Sequence, residues 1–194
     1  MKRIIGLLIF FDLFWSAAAL WVDISKLSQI PVWTWALVVI CPIYPFLLTL
    51  IWIQVYREKR VNPYLLSFGA IGASLFGPLA LVFYPALIIE RGWGWNEFGQ
   101  IFWVLFYSLQ GWYLVSKFQF KPFPVLLAGV YFVIMIFFNF KTATMSYLDF
   151  AVLSQGSQNL VLAVALISLL LLLLLALRSK LLRLYQNRRQ GRSG

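Results

Sequence analysis

The chain contains no histidine and a single cysteine, Cys41, among 194 residues. Without imidazole there is no His-ligated haem, no His-based metal site and no His general base. A lone thiol forms no intrachain disulfide and supplies no thiolate cluster. Acidic residues are also scarce: Asp12, Asp23, Glu58, Glu90, Glu97 and Asp149 are the whole set. No two of them stand at the i,i+3 or i,i+4 spacing that would set a carboxylate pair on one helix turn. No cofactor and no metal is therefore expected, and no residue set spells out an enzymatic reaction. Charged residues amount to 11% against 62% hydrophobic, a balance that cannot clothe a soluble surface at this length.

What the chain has instead is long apolar runs. Six of them, Ile4–Trp21, Val32–Val55, Leu65–Ile89, Phe98–Ser116, Phe123–Phe140 and Leu160–Leu177, approach the ~20 residues that cross ~30 Å of hydrocarbon at about 1.5 Å per residue. The expected fold is all-α: one integral membrane domain of six transmembrane helices over residues 1–177, then a basic cytoplasmic tail over residues 178–194. The cations alternate between the connections. Lys2, Arg3, Arg57, Lys59, Arg60, Lys117, Lys121, Arg178, Lys180, Arg183, Arg188, Arg189 and Arg192 fall on one set of segments, and only Lys26, Arg91 and Lys141 on the other. Thirteen against three is the positive-inside pattern, which places both termini in the cytoplasm and the chain in the inner membrane as a multi-pass protein. The formal net charge of +10 is explained by that topology and by anionic headgroups at the tail, so nucleic acid is not an expected partner. Met1–Ala19 imitates a secretory leader, ending in Ser16-Ala17-Ala18-Ala19. Asp12 interrupts its apolar region and bulky Trp15 crowds the cleavage site, so an uncleaved first span is expected.

Polar and helix-breaking residues inside the runs are the candidates for function. Asp12 lies mid-span with Ser16 one turn on, where a carboxylate costs several kcal/mol unless it faces a protein or water-lined interior. It reads either as a proton or ligand contact or as a hydrogen-bonded joint between helices. The second span carries Pro31 and Cys41-Pro42-Ile43-Tyr44-Pro45, and the third carries Pro78 and Pro85, so kinks are expected in both. Gly69, Gly72 and Ala73 share a face that lets helices approach closely. In the fourth span Trp103, Tyr107, Gln110 and Tyr113 form a polar-aromatic stripe, with Asn96 a candidate N-cap. Pro122 and Pro124 suit the start of a fifth helix. Tyr147 to Leu153 suggests a short helix on the outer surface. The sixth span is apolar all round, as a helix facing lipid or a large apolar partner would be. Candidate ligand-binding residues are Asp12, Ser16, Tyr44, Trp103, Tyr107 and Gln110.

The order of these features resembles the YpjA-like family of prokaryotic polytopic membrane proteins. Trp21, Leu27, Ile30-Pro31 and Trp33 resemble that family's aromatic first helix and proline turn. Cys41-Pro42-Ile43-Tyr44-Pro45-Phe46-Leu47 resembles the second half of its valine-proline-aspartate-x-proline motif, and Asn62 through Tyr84 and Gln110-Gly111 resemble later parts. The family's first proline and its aspartate fall on Val39 and Ile40, and an Asn-Asp pair late in its fifth helix is represented only by Asn139, followed by Phe140. The resemblance implies a bioenergetic partner, through genes near quinol–cytochrome c reductase, and supplies no catalytic residue.

Two functions remain open on these grounds. One is a non-catalytic accessory subunit or assembly factor of a larger membrane complex, whose partners are other membrane subunits. The other is a small transporter or binder of a lipophilic ligand, with its cavity between the first, second and fourth helices. An intramembrane enzyme would need a positioned acid, base or metal, and none is visible.

Overall fold

A computed structural model describes residues 2–27, 43–92, 94–141 and 153–190, and these described residues form six α-helices and no strand. They are α1 (Lys2–Leu27), α2 (Ile43–Tyr56), α3 (Pro63–Arg91), α4 (Trp95–Lys117), α5 (Pro122–Lys141) and α6 (Gln155–Gln190). Among the described residues three segments are long and apolar enough to cross a membrane: Lys2–Trp21 of α1, the whole of α3, and Gln155–Arg178 of α6. That marks a membrane protein. The described part of α2 and the Pro122–Phe138 stretch of α5 are apolar but shorter. In α4 the apolar residues are diluted by Gln100, Ser108 and Gln110.

Helix α3 is the hub, packing against α2, α4, α5 and α6. Its small residues make this geometry. A Cβ on Gly69 would press on Ile51 and Leu47 of α2, and one on Gly72 would run into the rings of Tyr44 and Phe132. The Gly69/Gly72/Ala73 face is thus a close-approach surface. On α6 the buried residues Val161, Ala165, Leu169, Leu172 and Ala176 make one stripe, while Leu170, Leu171 and Leu174 point outward. Although apolar all round in sequence, the helix buries one face against α3 and α5. It runs on without a break past Leu177 to Gln190, and its stretch apolar enough to span a membrane is Gln155–Arg178.

Pro31 and Pro42 lie outside the described residues. Pro45 is the third residue of the described part of α2, which begins at Ile43. Helix α3 continues through Pro78 and Pro85. Pro78 cannot donate to the carbonyl four residues earlier, that of Ser74. That carbonyl accepts instead from the Ser108 hydroxyl of α4 at 3.2 Å, the kind of rescue that membrane helices with internal proline require. Ser108→Ala should lower thermal stability in detergent by about 1 kcal/mol. In a Pro78→Ala background, which restores the backbone donor, the same change should cost much less. Equal cost in both backgrounds would show that the two residues are not coupled.

Other starts and ends differ in detail. Helix α4 begins at Trp95 behind Gly94, not behind Asn96. Pro122 opens α5, as its fixed φ allows. The proposed surface helix over Tyr147–Leu153 falls outside the described residues except for buried Leu153.

Polar contacts at the helix ends align the bundle. The Lys2 ammonium lies 2.8 Å from Glu58 and 6.0 Å over the Tyr56 ring, so the start of α1 sits beside the α2–α3 turn. Its hydrogen bond and then its charge hold the Glu58 carboxyl below the usual carboxylate range. Arg178 of α6 donates to the Ser116 carbonyl near the end of α4. At the other end Glu90 accepts from the Ser157 hydroxyl at 2.6 Å and from the Ser154 backbone N–H at 2.6 Å. It thereby ties the end of α3 to the start of α6.

Candidate functional site

The site is built where α1 meets α4. Two aromatic pairs span that contact: Phe11 against Phe106, with ring centroids 6.2 Å apart, and Trp15 stacked on Trp103 at 4.5 Å. Large rings hold these two helices apart, whereas on its other side α4 closes on α3 through Gly111. Between Phe11 and Trp15 in sequence stands Asp12, only 1% exposed. The Gln110 side chain reaches across and donates from Nε2 to Asp12 Oδ1 at 2.9 Å. Its Oε1 accepts from the indole N–H of Trp52 on α2 at 2.6 Å. A glutamine amide can do both because it carries a donor and an acceptor on one planar group. Asp12, Gln110 and Trp52 thus form a buried chain joining α1, α4 and α2.

The residues singled out from sequence divide between this chain and other places. Asp12 and Gln110 are directly bonded. Ser16 is buried next to them, but its hydroxyl donates to the Asp12 backbone carbonyl at 2.7 Å, a local i−4 bond, and not to the carboxylate. Trp103 and Tyr107 lie on the same α4 face as Gln110. Trp103 stacks on Trp15, and Tyr107 is buried. Tyr44 belongs elsewhere: its ring meets Phe76 and Phe132, and its hydroxyl lies 3.8 Å from Met135 Sδ. Eight residues separate it from Trp52 on α2, about 12 Å along the axis. Its role is in the α2–α3–α5 core.

Two residues that sequence reading passed over complete the surroundings. Trp52 is one, and its signal was available: an indole N–H deep in an apolar run needs an acceptor. Thr49, one turn earlier on α2, is the other. Its buried Oγ1 has no hydrogen-bond partner among the described residues, and neither has Asp12 Oδ2. Asp12 Oδ2 and, one turn from Trp52, Thr49 Oγ1 are thus two separate buried oxygens with unused bonding capacity. No Lys or Arg contacts the Asp12 carboxyl among the described residues, and no group of three or more His, Cys, Asp and Glu among them could hold a metal ion. No family model, curated protein or solved structure matches this chain.

Proposed function

We propose that this chain is a non-catalytic inner-membrane protein of six spans with both termini in the cytoplasm, serving as an accessory subunit or assembly factor of a larger membrane complex. The observation that carries this reading is the neutral bonding of the one mid-span carboxyl. Asp12 is held by an amide, in turn held by an indole, with no countercharge of the kind a carrier of ionic substrates needs in mid-membrane. Such a chain of bonds is a latch between helices. It leaves the outer row of α1 (Ile4, Leu7, Phe10, Phe14 and Trp21) exposed, an aromatic-rich face suited to another subunit as well as to lipid. The resemblance to YpjA-like proteins adds a bioenergetic complex as the partner class.

Gentle extraction into native lipid discs should recover the chain in an assembly much heavier than its 22.4 kDa. A second reading, a binder of a lipophilic ligand, draws on Asp12 Oδ2 and Thr49 Oγ1, which a ligand hydroxyl or amide could satisfy. Recovery as a stable monomer with a small molecule bound beside α1, α2 and α4 would make that reading the correct one.

Topology has its own test. The cations Lys2, Arg57, Lys59, Arg60, Lys117, Lys121 and Arg178 lie on the helix ends and turns that meet near the Lys2–Glu58 and Arg178–Ser116 contacts. Reporter fusions after Arg60, Lys121 and Arg192 should register in the cytoplasm, and fusions near Lys26 and Gly94 outside it. An odd number of crossings would refute the arrangement.

A further inference from the structure

The α2–α3 turn builds a second feature, far from Asp12. Helix α2 ends in a tight C-terminal motif: Glu58 N–H donates to the Val55 carbonyl at 3.0 Å and Lys59 N–H to the Gln54 carbonyl at 2.9 Å. Glu58 takes a left-handed conformation, with φ of 56°, to close it. The Gln54 side chain then accepts from Asn62 N–H at 2.8 Å. Asn62 in turn caps α3 through Tyr64 N–H at 2.9 Å and Leu65 N–H at 3.2 Å. These bonds close the end of α2 and the start of α3 on either side of Arg60 and Val61, so Lys59 and Arg60 stand on a short turn pinned at both ends.

That turn borders a groove of about 400 Å³ between the α2–α3 and α4–α5 turns, floored by Val55, Leu66 and Phe118 and rimmed by Lys59, Arg60 and Gln119. The volume lies within the range of small-ligand sites, roughly 300–1,000 Å³. Neither Lys59 nor Arg60 forms an ion pair among the described residues, while the one carboxylate of the rim, Glu58, is matched by Lys2. The rim is thus net cationic over an apolar floor. Its level in the membrane is marked by Tyr56 and Tyr64, 44% and 45% exposed, on the two helix ends that flank it. Tyrosines so placed are the aromatic belt of the headgroup layer.

We infer that this groove is a binding site for an anionic phospholipid, whose phosphate lies between Lys59 and Arg60 and whose glycerol and upper acyl carbons rest on Val55, Leu66 and Phe118. A free phosphate would use the cations and leave the apolar floor bare, and a zwitterionic lipid would bring a second cation against the rim. The site is independent of the accessory-subunit reading and of which side is cytoplasmic.

Full-length protein in detergent is mixed with phosphatidylglycerol and phosphatidylcholine of identical acyl chains, and retained lipid is counted by native mass spectrometry. The wild type should keep phosphatidylglycerol in preference. The double variant Lys59→Gln/Arg60→Gln should lose about tenfold of that preference and each single change about threefold. Lys180→Gln/Arg183→Gln, which removes two cations of α6 beyond its spanning stretch, should leave it intact. Both groove side chains are exposed, and helical circular dichroism checks that the variants fold. Unchanged preference in the groove variants overturns the assignment, as does its loss in the α6 variant alone. Displacement of the lipid by inorganic phosphate or by the deacylated headgroup at equal concentration overturns it too, because it would assign the site to a soluble anion.

Discussion

Replacing Asp12 by leucine is expected to destabilise the protein in detergent by about 1–2 kcal/mol, while Asp12→Asn leaves stability nearly unchanged. Leucine removes the acceptor of Gln110 Nε2, which donates to Asp12 Oδ1 at 2.9 Å, and strands that N–H in a buried site. Asparagine keeps a carbonyl oxygen for the same bond. The figure sits below the upper range for buried polar groups because a chain unfolded within a micelle also finds partners for its amides. Gln110→Leu should cost at least as much, since it also strands the Trp52 indole. In the double variant Asp12→Leu/Gln110→Leu the two penalties should add to less than their sum, with a coupling of about 1 kcal/mol. Thermal melts followed by tryptophan fluorescence supply all four corners of the cycle. Wild-type stability for Asp12→Leu would remove the latch from the account of α1.

Gly111→Leu should do greater damage. A Cβ at that position would stand 2.7 Å from the Ala70 carbonyl oxygen and 2.6 Å from Ser74 Oγ. The first of these is backbone, which cannot swing aside as a side-chain tip can. Helices α3 and α4 would have to separate, disturbing the Ser108–Ser74 bond as well. Overpacking of this kind costs about 3 kcal/mol, enough to abolish accumulation of a marginally stable protein. Gly99→Leu on the same helix is the control: a Cβ there meets nothing within 4 Å, and leucine is the better helix former by just under ~1 kcal/mol. It should be neutral or mildly stabilising. If both leucine variants melt alike, close approach at Gly111 is not what joins α3 to α4.

The helices themselves were legible in the chain. Hydrocarbon leaves the backbone no outside partners, so apolar runs must close their hydrogen bonds within a helix. The runs starting at Ile4, Leu65, Phe98, Phe123 and Leu160 each coincide with a helix. Residue-level properties with the same local origin were legible too: the small face of Gly69 and Gly72, the start at Pro122, and the need of Asp12 for a protein interior. These depend on composition within a window, which sequence displays directly.

What tertiary structure alone decided was which groups meet. Gln110 lies 98 residues from Asp12 and 58 from Trp52. No periodicity within one helix specifies such partners, because they depend on the order of the helices and their rotation about their axes. Both are set by shape. Glycines draw α4 onto α3, paired rings hold α1 off α4, and only a side chain as long as glutamine then bridges the remaining gap. The same cause put Tyr44 into the α2–α3–α5 core, turned the Ser16 hydroxyl to a backbone carbonyl, and gave the Ser74 carbonyl freed by Pro78 to Ser108. Composition determined that this chain has apolar helices with cationic ends. Close contact between particular small and large side chains determined where its few polar groups found one another.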